Sequence, residues 1–173
     1  ISSLGSPNMA GLEERWLSVM AEIGSACRES GRDARDVSTI VVTKFHPVSL
    51  IRDLHSLGVR HIGESRHQEA VKKKEELVDL DLKWHFVGQL QSNKARAVAA
   101  YCDVVHSVDR QSLVDSLTKH EAELDVFIEV NTSSDPKRGG VDPSQVKVLA
   151  ERILETGNLR LRGLMAVAPR ELS

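Results

Sequence analysis

The sequence predicts an α/β fold, a (β/α)8 TIM-type barrel in which roughly the last two βα units are absent from this chain. Three observations lead there. Short β-branched or apolar runs alternate with helical patterns along nearly the whole length, the signature of parallel strands joined by right-handed crossovers. Polar or charged residues recur where strands end: Lys44, Glu64, His85, Ser107 with Asp109, and Asn131. Barrels carry their functional side chains at such C-terminal strand ends. The competing architecture, an open doubly wound sheet, usually sets a Gly-rich phosphate loop after its first strand. Here the first strand runs into Thr43-Lys44-Phe45-His46-Pro47, without a glycine.

Leu12, Trp16, Val19, Met20 and Ile23 recur at helical spacing, so a helix is expected from Met9 to about Ser30, stopped by Gly31. A β-branched strand follows over Ser38 to Thr43, then a helix from Val48 to Leu57 closed by Gly58. His61 to Gly63 reads as a brief strand and Ser65 to Leu77 as a charged helix. Lys83 to Val87 is the next strand, followed by an alanine-rich helix over Ser92 to Ala100. Val104 to Val108 pairs with a helix from Gln111 to about Glu121, and Asp125 to Asn131 is the fifth strand. After a loop from Thr132 to Asp142 come a helix over Pro143 to Glu155 and a sixth strand over Leu161 to Val167. A closed barrel needs two more units. Residues 1–8 (Ile-Ser-Ser-Leu-Gly-Ser-Pro-Asn) read as an expression remnant ahead of a native Met9, leaving 9–173 as one domain.

The totals limit the function classes. With 173 residues, 40% apolar and 28% charged, the chain suits one globular domain. A formal net charge of -2 gives no overall field for nucleic acid or anionic membrane, and no apolar run approaches the length of a membrane span. Two cysteines, Cys27 and Cys102, form neither a disulfide framework nor a metal-ligand spacing. The expected setting is the cytoplasm. Seven histidines are present, but none falls in His-x-His or His-Glu-x-x-His, so metal chemistry has no motif behind it.

Lys44 is the sharpest chemical feature. Side chains alternate along a strand, so Lys44 points with Val42. Were that the barrel interior, burial would press the amine toward its neutral form, which attacks aldehydes. Position by itself favours a solvated lysine. Ser65 with Gln68 resembles a capping box at a helix start, where free amides can also hold an anion. His85 shares a face with Val87, opposite Trp84 and Phe86, and could meet a planar ligand; a lone histidine there is more often a core or rim residue. Lys137 and Arg138, in the turn-rich stretch Ser133 to Gly140, could meet a phosphate, though a surface loop accounts for them as well.

Six ordered segments carry a family resemblance. They are Val42-Thr43-Lys44 to Pro47; Gly63-Glu64-Ser65-Arg66 with Gln68-Glu69; Trp84-His85-Phe86-Val87-Gly88 with Leu90-Gln91 and Asn93-Lys94; His106-Ser107-Val108-Asp109; Val130-Asn131-Thr132-Ser133; and Gly163-Leu164-Met165. Together they resemble the YggS/PROSC family of pyridoxal-phosphate-binding proteins, also called PLP homeostasis proteins. The resemblance implies a barrel like the N-terminal domain of alanine racemase, with pyridoxal 5'-phosphate (PLP) held as a Schiff base, an internal aldimine, on Lys44. It implies Ser65, His85 and Met165 as pocket-lining residues. It also implies a carrier or regulator in vitamin B6 supply without a defined turnover reaction, meeting PLP-dependent apoenzymes transiently; a monomer is the expected state. Where the family usually has Gly-Glu-Asn, this chain has Ser65, which shortens or removes a contact. The family's phosphate-binding turn and its arginine near the pyridine nitrogen are expected beyond Ser173. The alternative is a PLP-dependent amino-acid racemase, which would need a second acid/base group; Tyr101 is the sole tyrosine. A third reading, a scaffold without ligand, stands beside these.

Overall fold

The computed structural model describes residues 7–133, 135 and 138–168. Most of the expected remnant therefore lies outside the described residues; the backbone of Pro7 and Asn8 opens the first helix. That helix, α1 (Pro7–Glu29), lays Leu12 and Trp16 against the sheet layer beneath it. Val19 and Met20, expected on the same apolar face, are exposed. A short 3-10 turn over Ala34–Asp36, closed by Asp33 accepting from the Arg35 amide, leads into the sheet.

Six strands follow: β1 (Val41–Val42), β2 (His61–Glu64), β3 (Lys83–Phe86), β4 (Val104–Val108), β5 (Leu124–Glu129) and β6 (Leu159–Met165). All pair in parallel, and their order across the sheet is their order in the chain. A doubly wound sheet must reverse its order at a switch point. This one never does, which is the winding of a (β/α) barrel. The crossovers are α2 (Val48–Ser56), α3 (His67–Glu76), α4 (Ala95–Ala99), α5 (Gln111–Leu117) and α6 (Val146–Leu154). The starts of two expected helices, Ser92–Lys94 and Pro143–Gln145, are 3-10 turns.

The strand faces divide by what covers them. Trp84, Ile62, Ile51 and Leu54 form one buried cluster under α1 and α2. Phe86, Val105, Val126 and Ile128 pack with Leu113, Leu117 and Ile153 in another. Alternation then sends His85, His106 and Phe127 to the opposite face. A register shift between Val105 and Val108 lets both residues join the helix-side core, as a bulge does. Near the start of the strands that opposite face carries charge: Asp125 accepts from Arg162 Nε at 2.8 Å and lies 3.7 Å from Lys83 Nζ.

Candidate functional site at the C-terminal edge of the sheet

In a parallel sheet every strand ends on the same edge, so residues that finish strands converge there. β1 ends early. Of the β-branched run from Ser38 to Thr43, only Val41 and Val42 pair, with Ile62 and Gly63. The chain then turns: the His46 amide donates to the Thr43 carbonyl at 3.0 Å, leaving Lys44 and Phe45 as the two central residues. Phe45 has φ +66°, a conformation that a turn normally gives to glycine or asparagine.

Lys44 is exposed, so the burial that would favour its neutral amine is not found. It makes no hydrogen bond or ion pair with any described residue. Val42, two residues before it, lies on the histidine side of the sheet. Gly63 sits tightly beside it: a Cβ there would stand 3.1 Å from Val42 Cγ2 and 3.2 Å from Ile40 Cγ2, so both side chains would have to give way.

Gly63 pairs in turn with His85, the centre of a row of rings. His61 Nδ1 lies 2.9 Å from His85 Nε2, and His85 Nδ1 lies 2.9 Å from His106 Nε2. His106 stacks on Phe127 with ring centroids 4.7 Å apart and planes 4° from parallel. Each link needs one N–H and one lone pair, so three neutral imidazoles satisfy the row with every proton pointing the same way. Burial, followed by the adjoining His106, His61 and Lys83, pushes His85 down to about 3. His106 is lowered by burial and His61 by burial and Lys83. The row is an uncharged, largely buried floor.

Ser65 follows β2 directly. It does not cap α3: the residue preceding that helix is Arg66, with no side-chain cap. β2 runs through Glu64, whose carbonyl accepts from the Val87 amide at 2.9 Å. This draws Ser65 against Gly88, where a Cβ would fall 2.8 Å from the Ser65 carbonyl oxygen. Met165 closes β6, and its carbonyl accepts from Val130 N at 2.8 Å. Lys44, Ser65 and Met165 thus stand at the ends of three strands on one edge, with His85 one residue from the end of β3. Among the described residues no hydrogen bond joins any two of the four. In the basic loop, Ser134, Pro136 and Lys137 lie outside the described residues. Arg138 reaches the carbonyls of Val167 and Ala168 at 3.3 and 3.2 Å.

Residues 28–171 match the family of the alanine racemase N-terminal domain. The pyridoxal phosphate homeostasis protein of Pseudomonas aeruginosa is 39% identical over 163 residues, covering 92% of this chain and 71% of that protein. The chain belongs to the alanine racemase N-terminal domain family, among the pyridoxal phosphate homeostasis proteins. The homeostasis protein of Corynebacterium glutamicum agrees, at 40% identity over 87% of this chain and 72% of its own length. A solved structure of PipY from Synechococcus elongatus, with PLP bound, superposes with a TM-score of 0.74 at 34% identity, over 89% of this chain and 73% of that one. The family read from the six sequence segments is therefore the family found.

Two features of this homeostasis-family edge were missed from sequence. One is the histidine row: His61 and His106 belong to separate strands, and only the strand register brings them to His85. The other is a buried pair between Glu64 and Lys73, 2.6 Å apart. Lys73 sits inside Lys72-Lys73-Lys74-Glu75-Glu76, where composition alone suggests a solvated helix.

Proposed function

We propose that this chain binds pyridoxal 5'-phosphate through Lys44 and serves in PLP homeostasis as a carrier or regulator, with no turnover reaction of its own. The observation that carries the reading is the placement of Lys44: an exposed, unpaired primary amine in the turn that ends β1, in a family whose PipY member has been solved with PLP bound. When bound, the cofactor supplies an aldehyde carbon that a lysine amine can attack reversibly, with loss of water.

The residues present suit such a group. The amine is accessible, and the uncharged face of His85, His106 and Phe127 offers flat, apolar surface to a planar ring. Buried Ser107 Oγ has no partner among the described residues, leaving a hydroxyl able to meet a polar substituent. Ser65 and Met165 are the proposed rim. Residues 9–173 act as one domain in this reading.

A racemase needs a second acid/base group near the cofactor. Tyr101 follows α4 and is packed among the helices rather than on the histidine face of the sheet. Its ring stacks on His67 at 5.6 Å, and burial raises its phenol well above the usual range. This supports the carrier over the racemase. No described helix is long and apolar enough to cross a membrane; a cytoplasmic setting, a monomeric state and transient delivery to apoenzymes complete the proposal. To test it, PLP is added to the wild type and to Lys44→Ala while visible absorbance is followed. A band in the wild type alone supports the assignment. A band of equal size in both, or in neither, rejects it. Racemisation of added L-alanine by the loaded protein would favour the enzyme.

A further inference from the structure

Beneath the Lys44 turn, the Glu64–Lys73 pair has no part in the function proposed above. Glu64 is 1% exposed and Lys73 7%. Lys73 Nζ, besides pairing with Glu64 Oε1, donates to the backbone carbonyl of Thr43 at 2.8 Å. The Thr43 hydroxyl, itself fully buried, donates to the same Glu64 oxygen at 2.6 Å. Both interactions close on the residue immediately before Lys44.

Stability is a poor account of this cluster. A buried ion pair rarely outperforms apolar side chains of the same volume, because two charges must be desolvated to make it. The pair is also not fully satisfied, since Glu64 Oε2 is buried with no partner among the described residues. What it does achieve is local. The Thr43 carbonyl accepts both from Lys73 and from the His46 amide that closes the turn. The turn is held on its other side as well. The Arg66 guanidinium lies 4.4 Å from the centre of the Phe45 ring and pairs with Glu69 at 3.2 Å. Glu69 in turn accepts from the Phe45 amide at 3.4 Å. A non-glycine residue persists at φ +66° only where its surroundings over-determine it. Here the surroundings fix the backbone on either side of one lysine.

We propose that Glu64 and Lys73 are positioning residues for Lys44. They hold the carbonyl and hydroxyl of Thr43, keep the strained Thr43–His46 turn in a single conformation, and so set how fast Lys44 captures an aldehyde. The inference rests on the assignment of Lys44 as the cofactor lysine, and its test separates the two.

The full chain is compared with the double variant Glu64→Gln/Lys73→Met, which removes both charges together and leaves neither buried alone. Two readouts are taken. Hydrogen exchange of the His46 amide is measured without cofactor; it should speed up roughly tenfold, as for loss of one hydrogen bond to a charged group, while the Val105 and Ile128 amides keep their wild-type rates. The rate at which the visible band forms with added PLP should fall by a similar factor, roughly tenfold. His46 exchange at the wild-type rate, or capture at the wild-type rate, overturns the proposal. If the double variant does not fold, Thr43→Val replaces the hydroxyl with a methyl of similar size and is read in the same two ways, with the same outcomes decisive. A wild type that protects His46 but forms no Lys44-dependent band defeats the cofactor assignment, and the capture role with it. A wild type that forms the band while the variant exchanges and captures unchanged defeats the positioning role alone.

Discussion

Acid should unfold this protein through its histidine row, and the size of the effect follows from His85. An unfolded histidine titrates near 6.5, whereas folded His85 is pushed down to about 3 by burial and then by its histidine neighbours and Lys83. Between those values the unfolded chain binds a proton that the folded chain refuses, so stability rises with pH across that window and is lost as pH falls. Each pH unit inside the window is worth up to ~1.36 kcal/mol for one proton. Going from pH 7 to pH 5, His85 alone should remove about 2 kcal/mol of stability. For a chain of this size that lowers Tm by about 4–8 °C. His61 and His106 are lowered as well and act in the same direction. The assay is thermal unfolding by circular dichroism at pH 7, 6 and 5, on the wild type and His85→Phe. The variant starts less stable, having stripped His61 and His106 of a partner, but it should lose less on acidification. Parallel pH slopes in the two proteins would show that His85 is not the group being protonated.

Four further outcomes follow from packing and burial. Gly63→Ala places a Cβ 3.1 Å from Val42 Cγ2, so overpacking should lower stability by about 1–3 kcal/mol in urea titration. Ile51→Ala opens a void in the Trp84 cluster, where Ile51 has no exposed surface; it should cost about 2–5 kcal/mol. Leu154→Ala, at a side chain 69% exposed, should shift the same midpoint by less than about 0.5 kcal/mol. Cys102 is buried and its thiol is pushed up to about 12, mainly by burial. It should therefore resist a disulfide reagent at pH 8 in the folded protein and react once urea is added; rapid native labelling of Cys102 would contradict that placement.

The fold was legible because its signals are local. Most strands are short stretches built around apolar or β-branched residues, the crossover helices between them are set off by glycine, proline or polar residues, and sequential parallel order follows from their alternation. Element ends were less so. Ser38 to Thr43 has the composition of a full strand, but β1 pairs only through Val41 and Val42, and unpaired residues do not count as strand whatever their propensity. Ser65 read as a helix cap, yet pairing between β2 and β3 extends through Glu64, and α3 starts only at His67, leaving Ser65 one residue short of the cap position. Lys44 was legible as a strand-end lysine, and its exposure was not, since that depends on the turn closed by His46. The histidine row and the Glu64–Lys73 pair needed three-dimensional register: partners 21 or more residues apart, or nine apart across a strand–helix junction, leave no periodic trace.

The central claim is that Lys44 is the point of attachment for PLP. Treating the protein with PLP and then borohydride would make any lysine linkage permanent, and peptide mass mapping would then locate it. The account predicts a phosphopyridoxyl mass on the peptide containing Lys44, at high occupancy, with that label missing from Lys44→Ala. Label spread over the exposed lysines, or concentrated at another lysine while Lys44 stays unmodified, would contradict it.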